Sequence, residues 1–373
     1  MEKIEQPFVE LPEALVEEML AKSEEVGESL YNSFEEIKKS KEDLRKQLSD
    51  NGILRRASEI SYPAIPTTCG VDGAYAVERL LSIDFVACAA VAVEGLTPPS
   101  EKRHWEKPRH RVFIGPEKHN PDSASIIRGL MMEMEIELAV KAPHDIVFLD
   151  GSLTTPLIYL NQAINKIVET ENTKLSDEVI SKFDKFLNHY RTILEAKRSD
   201  KLWVGIPKYT TKRELGEKFN WTIHYDDRAI LTTILLADEF TTPIPLTPPP
   251  QPWHLKSPSG DIKKEFDEIL RRVHVIYYKP NKWTPALRIE IAPSIAANYA
   301  RIAILLEGIK YQCGTPGIFE PYPLYIADRM VKHLGKAVPA FRQTATKKMS
   351  ELYKGDIGEI FFNMHGYRTE SGR

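Results

Sequence analysis

The sequence predicts an α/β protein: a mixed sheet flanked by helices, with a helical arm at the amino end. Three observations lead there. Three strand-like runs follow one another between residues 68 and 114, strands then alternate with helical periodicity as far as residue 334, and residues 15–48 carry an apolar stripe among charges. The 373 residues are 42% hydrophobic and 28% charged, enough apolar material for about two domains' worth of chain, and this excludes collagen and wholesale disorder. Cys69, Cys88 and Cys313 lie far apart with no CxxC pair, so neither a zinc knuckle nor a disulfide framework is expected, and a reducing cytoplasm is. The first residues lack the apolar core of a signal peptide, and no stretch approaches the ~18 apolar residues of a membrane span.

The elements follow in order. Leu15, Met19, Val26, Leu30, Phe34, Ile37, Leu44 and Leu48 recur at steps of three, four or seven, which predicts one long amphipathic helix or two broken near Gly27. The narrow stripe between charged faces suits a coiled-coil seam and hence a dimer arm; a helix folded back on its own domain is the alternative. Strands are expected at 68–75, 81–93 and 109–114 as an antiparallel meander, then a helix over Ser123 to Lys141 and a short apolar strand at 145–149 of the kind found at a sheet centre. Helices at 156–168 and 177–196, a strand at 201–206 and a helix at 228–238 come next. Pro243, Pro245, Pro248, Pro249, Pro250, Pro252 and Pro258 mark a stiff surface excursion over 243–258. Strands at 273–278 and 287–291 and helices at 295–309 and 324–334 complete the pattern, while the chain past Lys354 is poorly specified. The domain reading is an arm over 1–60, a main domain over 61–345 and a tail over 346–373. This order matches a ribonuclease H-like architecture.

Two acids stand at strand-to-turn junctions, in Val71-Asp72-Gly73 and in Leu149-Asp150-Gly151-Ser152-Leu153. Asp-Gly is an ordinary turn pair, so either one alone says little. If the first and fourth strands lie side by side, the two aspartates converge, and paired carboxylates repel unless a divalent metal joins them. Met131-Met132-Glu133-Met134-Glu135-Ile136-Glu137 adds an acidic stretch on the helix before the central strand, where Glu133 and Glu137 share a face and Glu135 points elsewhere. A third carboxylate from this helix would suit hard, oxygen-seeking Mg2+ or Mn2+.

These motifs, with Gly205-Ile206-Pro207-Lys208, Arg288-Ile289-Glu290 and Pro321-Tyr322-Pro323-Leu324 through Ala327-Asp328, occur in the order seen in NurA nucleases, and the chain resembles that family from about Gly70 to Leu334. The resemblance implies a ribonuclease H-like fold, Mn2+- or Mg2+-dependent DNA nuclease activity, a homodimer, and work with the hexameric HerA ATPase in DNA end resection or anti-phage defence. It implies metal ligands at Asp72 and Asp150, with Glu133 the best match for the helix acid by its spacing to Asp150. Lys208 would approach a phosphate, Arg288 would support the site or the DNA, and Tyr322 would line the site. Asp328 stands where the family often has a metal-binding histidine, which would make the cluster all oxygen. The mechanism implied is a two-metal hydrolysis, with two ions about 4 Å apart bridged by Asp72.

Other chemistry finds no motif: GxxxxGK[ST], HExxH and GxSxG are absent, so no ATP hydrolysis by this chain is expected. Trp105, Trp203, Trp221 and Trp253 are candidates to stack bases, with packing as the ordinary reading. Lys and Arg number 50 against 53 Asp and Glu, a net charge of -3 that neither advertises nor excludes a nucleic-acid partner. The competing reading is a non-catalytic ribonuclease H-like module that docks on an ATPase ring or on nucleic acid.

Overall fold

The computed structural model describes residues 11–372 apart from 61, 63, 170–172 and 260. Helices α1 (Glu13–Lys39) and α2 (Lys41–Asp50) form the amino-terminal arm. The break falls at Ser40, which is the C-cap of one and the N-cap of the other, and Gly27 sits inside α1 with open space around it. The stripe splits accordingly. Ile37, Leu44 and Leu48 are buried against the body, whereas Leu15, Met19, Val26, Leu30 and Phe34 stay exposed.

Strands β1 (Leu54–Arg56), β2 (Thr68–Leu80), β3 (Asp84–Glu94), β4 (Arg109–Glu117), β5 (Ile146–Asp150), β6 (Leu202–Ile206) and β7 (Glu239–Thr241) join one sheet. So do β8 (Ile244–Pro245), β11 (His274–Lys279), β12 (Leu287–Ile291) and β13 (Gly366–Gly372), while β9 (Leu255–Lys256) and β10 (Ile262–Lys263) form a separate ribbon in the proline-rich excursion. The order is β1-β7-β11-β12-β6-β5-β2-β3-β4, with β2, β3 and β4 an antiparallel meander and β2, β5 and β6 parallel. The fully buried run Ile146 to Phe148 is what a strand covered on both faces requires.

Helices α3 (Ser123–Lys141), α4 (Thr155–Glu169) and α5 (Lys174–Glu195) cover one face. After α6 (Glu214–Lys218), α7 (Asp227–Ile234), α8 (Glu265–Leu270) and α9 (Pro293–Ala296) come α10 (Tyr299–Gln312), α11 (Tyr322–Val331) and α12 (Leu334–Leu352). The glycines fix which face α11 takes. A Cβ on Gly70 would lie 2.4 Å from the Pro323 carbonyl carbon, and one on Gly73 would lie 2.5 Å from Glu135 Oε1, so α11 and α3 cover opposite faces of β2.

The segment expected as an unspecified tail carries α13 (Ile357–Asn363) and β13, which pairs antiparallel with β2 from Tyr75 to Leu80. On the same edge β5 pairs with β2 only as far as Val71. The edge of β2 is therefore open at residues 72–74, between the end of one partner and the start of the other.

Candidate metal centre

Asp72 occupies that gap, inside β2 and not at the strand-to-turn junction expected of it, because the strand runs on to Leu80. By strand alternation its side chain shares a face with Gly70, the face that α11 covers. Asp150 ends β5 one residue beyond the Val71–Leu149 pair, and Asp328 lies on the second turn of α11. The three carboxylates converge, with one oxygen from each lying within 4.8 Å of the others. Gly70 permits this, because only a residue without a side chain lets the α11 backbone approach β2 so closely. Asp328 is too far along the helix for the charge at the helix start, which fades within the first turn, to hold it. Lys332, one turn on, lies 3.8 Å from its Oδ2.

Lys208 follows β6 and reaches into the cluster. Its Nζ lies 3.2 Å from Asp150 Oδ2, 3.7 Å from Asp328 Oδ1 and 3.2 Å from Glu320 Oε2. Arg228 donates to its carbonyl and holds that stretch of chain. An ammonium among these carboxylates tests the chemistry of the site: the field gathers a cation, and an all-oxygen donor set suits a hard divalent ion. Asp72, Asp150 and Asp328 can thus hold a metal.

The helix acids are arranged differently from the expectation. Glu133 is not brought to the cluster. It is buried on the α5 side of α3, 3.6 Å from Lys182 Nζ, and burial raises its pKa above the ordinary carboxyl value. Glu137 is buried beneath three exposed cations, Arg111, Lys141 and Lys185, at 2.9, 2.6 and 2.6 Å. Burial pushes its pKa up, but the hydrogen bonds from those three cations outweigh it and hold the carboxyl well below the usual range. Glu135 is buried as well, and its Oε1 passes over Gly73, the residue after Asp72, on the opposite face of β2 and beside its open edge.

Arg288 is not brought to the cluster. Only 1% exposed, it grips Glu214 with both terminal nitrogens at 2.7 Å and donates from Nε to Glu290 at 3.1 Å. Glu290 in turn accepts from Ser152 Oγ at 2.6 Å and from the Leu153 amide at 2.9 Å. This chain of contacts braces the turn that leaves Asp150, where Gly151 takes a φ of 97°. Tyr322 is the half-buried first residue of α11. Of the tryptophans, Trp203 and Trp221 are buried and donate to Ala139 and Gln47, and Trp105 packs edge-on against His144. Glu320 was missed because its only local signal, an acid before Pro321, is an ordinary one.

Comparison with known proteins identifies the domain and the fold. Residues 66–333 match the family model of the NurA domain. The fold is similar to the crystal structure of the NurA nuclease from Sulfolobus solfataricus, 17% identical, with a TM-score of 0.58 over 90% of this chain and 98% of that one. It is similar also to a crystal structure of NurA with manganese, 13% identical, with a TM-score of 0.53 over 90% and 99% of the two chains. A third, NurA bound to dAMP and manganese, is 13% identical, with a TM-score of 0.51 over 85% and 96%. No curated protein sequence gives a significant match. The domain match spans most of the chain and includes all three converging aspartates, and on that ground the chain belongs to the NurA family.

Proposed function

We propose that this chain is a metal-dependent DNA nuclease that hydrolyses phosphodiester bonds with two divalent ions, Mn2+ or Mg2+, held by Asp72, Asp150 and Asp328 with Glu135 beside them. The observation that carries the reading is the convergence of three carboxylates from β2, β5 and α11, two of them in contact with a lysine ammonium. Manganese in two of the similar NurA structures supports the choice of metal, and dAMP in one supports a nucleotide substrate. Divalent ions bound there would supply Lewis acidity to the scissile phosphate and its attacking water.

The chain's own residues do the positioning. Asp72 is fixed by the long β2 strand, Asp150 by the turn that Glu290 and Arg288 brace, and Asp328 by the close seat of α11 on Gly70. Lys208 exchanges Asp150 and Asp328 for a substrate phosphate, and Glu320 keeps it near the site meanwhile. Arg111, Lys141 and Lys185 share one carboxylate, so that surface keeps excess positive charge suited to a nucleic-acid backbone.

The reading extends to a homodimer through the exposed stripe of α1, to a HerA-type hexameric ATPase as partner in DNA end processing or defence, and to the cytoplasm as its place. Residues 1–60 serve as the arm, 61–345 as the nuclease domain and 346–373 as a closing segment. No described helix is long and apolar enough to cross a membrane. The test incubates purified protein with end-labelled DNA and RNA in Mn2+, Mg2+ or EDTA, with and without a HerA-type ATPase. Metal-dependent loss of full-length DNA is the expected result. Intact DNA in every metal condition, with and without the ATPase, would leave the binding-module reading instead.

A further inference from the structure

The two chain segments that leave the metal centre, 151–154 after Asp150 and 207–212 around Lys208, also form two walls of a cavity of about 420 Å³. That volume is on the scale of small-molecule sites, on the order of 300–1,000 Å³. Trp253 from the proline-rich excursion contributes another wall, with Thr247 beside it. Its backbone amide donates to Asp267 at 2.7 Å, and its ring packs on the hydrophobic core, so it is held in place. Its indole N–H is buried without a hydrogen-bond partner among the described residues. A buried donor left unpaired is costly, and an acceptor entering the cavity would relieve that cost. Ser152, Thr154 and Thr211 add hydroxyls to the lining, Lys212, Arg288 and Glu290 add charge, and Ile158, Pro207 and Leu246 form its apolar part.

At the rim stands Tyr209. It is 94% exposed and directly follows Lys208, so a large aromatic ring projects into solvent beside the centre. A ring kept in water at this place is suited to stack on a flat partner. A phosphodiester at the carboxylates would carry its nucleobase to one side, and the chain leads from Asp150 to Ser152 and from Lys208 to Tyr209, both on the cavity wall.

We propose that this cavity is a nucleobase subsite, which takes the base of a nucleotide flanking the scissile phosphate, with Tyr209 stacking on it and Trp253 and the hydroxyls meeting its polar edge. The proposal rests on the nuclease reading for the position of the phosphate, but the cavity can be tested without cleavage. It also gives the excursion a purpose, since its residues build a wall that the two catalytic segments lack.

The binding arm uses the full chain in EDTA, titrated by calorimetry with a deoxynucleoside 5'-monophosphate and with deoxyribose 5-phosphate. The nucleotide should bind more tightly, and that preference should shrink about fivefold to a hundredfold in Tyr209→Ala, the range for loss of one base stack. Trp253→Phe keeps the ring and removes the N–H, and should shrink it about twofold to tenfold. The cleavage arm compares DNA with a normal and an abasic nucleotide beside the cut site, and the wild-type preference for the normal strand should fall in both variants. Equal binding of the two small ligands, or a preference untouched by Tyr209→Ala, overturns the subsite. Tyr209 is so exposed that its replacement does not threaten folding. If wild-type protein cuts neither strand, the nuclease reading fails by itself, and the binding arm still decides the cavity.

Discussion

For single residues, charge decides the outcome. The three converging aspartates gain nothing from one another's company without a cation. Asp72→Asn and Asp150→Asn should therefore abolish cleavage, by more than the roughly 10–100-fold that outer-shell changes cost at metal sites, with no fall in melting temperature. Full activity in either variant would remove the centre. The helix acids offer a sharper contrast. Glu135→Gln should weaken Mn2+ binding measured by calorimetry, whereas Glu133→Gln should leave it near wild type, because Glu135 lies over Gly73 at the open edge beside Asp72 while Glu133 is committed to Lys182. The reverse pattern would restore the assignment made from spacing. A separate effect belongs to His144, whose fully buried ring lies 3.6 Å from Glu94. Burial pushes its pKa down to about 4 from an ordinary 6.5, and Glu94 offsets only part of this. The folded state then binds fewer protons than the unfolded one, so this contribution is complete above pH 6.5 and is lost as pH falls through about 4. Denaturant titrations should show His144→Phe losing about 2 kcal/mol less than wild type between pH 7 and pH 5. Parallel acid limbs in the two proteins would contradict this.

For single elements, the seat of α11 matters most. It carries Asp328, and it reaches the cluster only because Gly70 has no side chain. Gly70→Ala puts a methyl 2.4 Å from helix backbone that cannot bend away like a side chain, so α11 must shift. The expected result is weaker Mn2+ binding with Asp72, Asp150 and Asp328 all present, together with a lower melting temperature. Unchanged metal affinity would mean that α11 tolerates the shift without moving Asp328. Much at this level was legible. Ser123–Lys141 and Leu287–Ile291 stand where the sequence placed them, the first because of its length and helical spacing and the second because a short, apolar-rich run suits a strand buried on both faces. The short strands were not legible. Leu54 pairs with Thr241 and Gly372 with Tyr75, and such pairings are made by distant chain that no local window contains. The arm's break was misplaced for a related reason, since Gly27 lies in open space where nothing forces a bend.

For the whole molecule, the split stripe of the arm sets the expectation. Its carboxyl-terminal part is buried against the body, but Leu15, Met19, Val26, Leu30 and Phe34 remain in water on α1. Such a continuous apolar face asks for a partner, and a second copy of the chain supplies the same face. Light scattering should show a dimer at micromolar concentration that becomes monomeric when Leu30 and Phe34 are both replaced by Glu. A monomeric wild type, alone and with the ATPase, would overturn the dimer.

The sequence alone determined the α/β class, the antiparallel meander and the central strand, each from local periodicity. It named Asp72 and Asp150 as acids that meet if their strands are neighbours, and the parallel pairing of β2 with β5 as far as Val71 and Leu149 supplies that condition. Only the tertiary structure decided which helix acid lies at the open edge of β2, that Arg288 is buried bracing, and that Lys208 and Glu320 belong to one charge network. The reason is rotational. Consecutive helix residues differ by about 100° in direction and consecutive strand residues point to opposite faces, so a role depends on which face each neighbour packs against. That choice was made at Gly70 and Gly73, where missing side chains admit α11 on one face and Glu135 on the other.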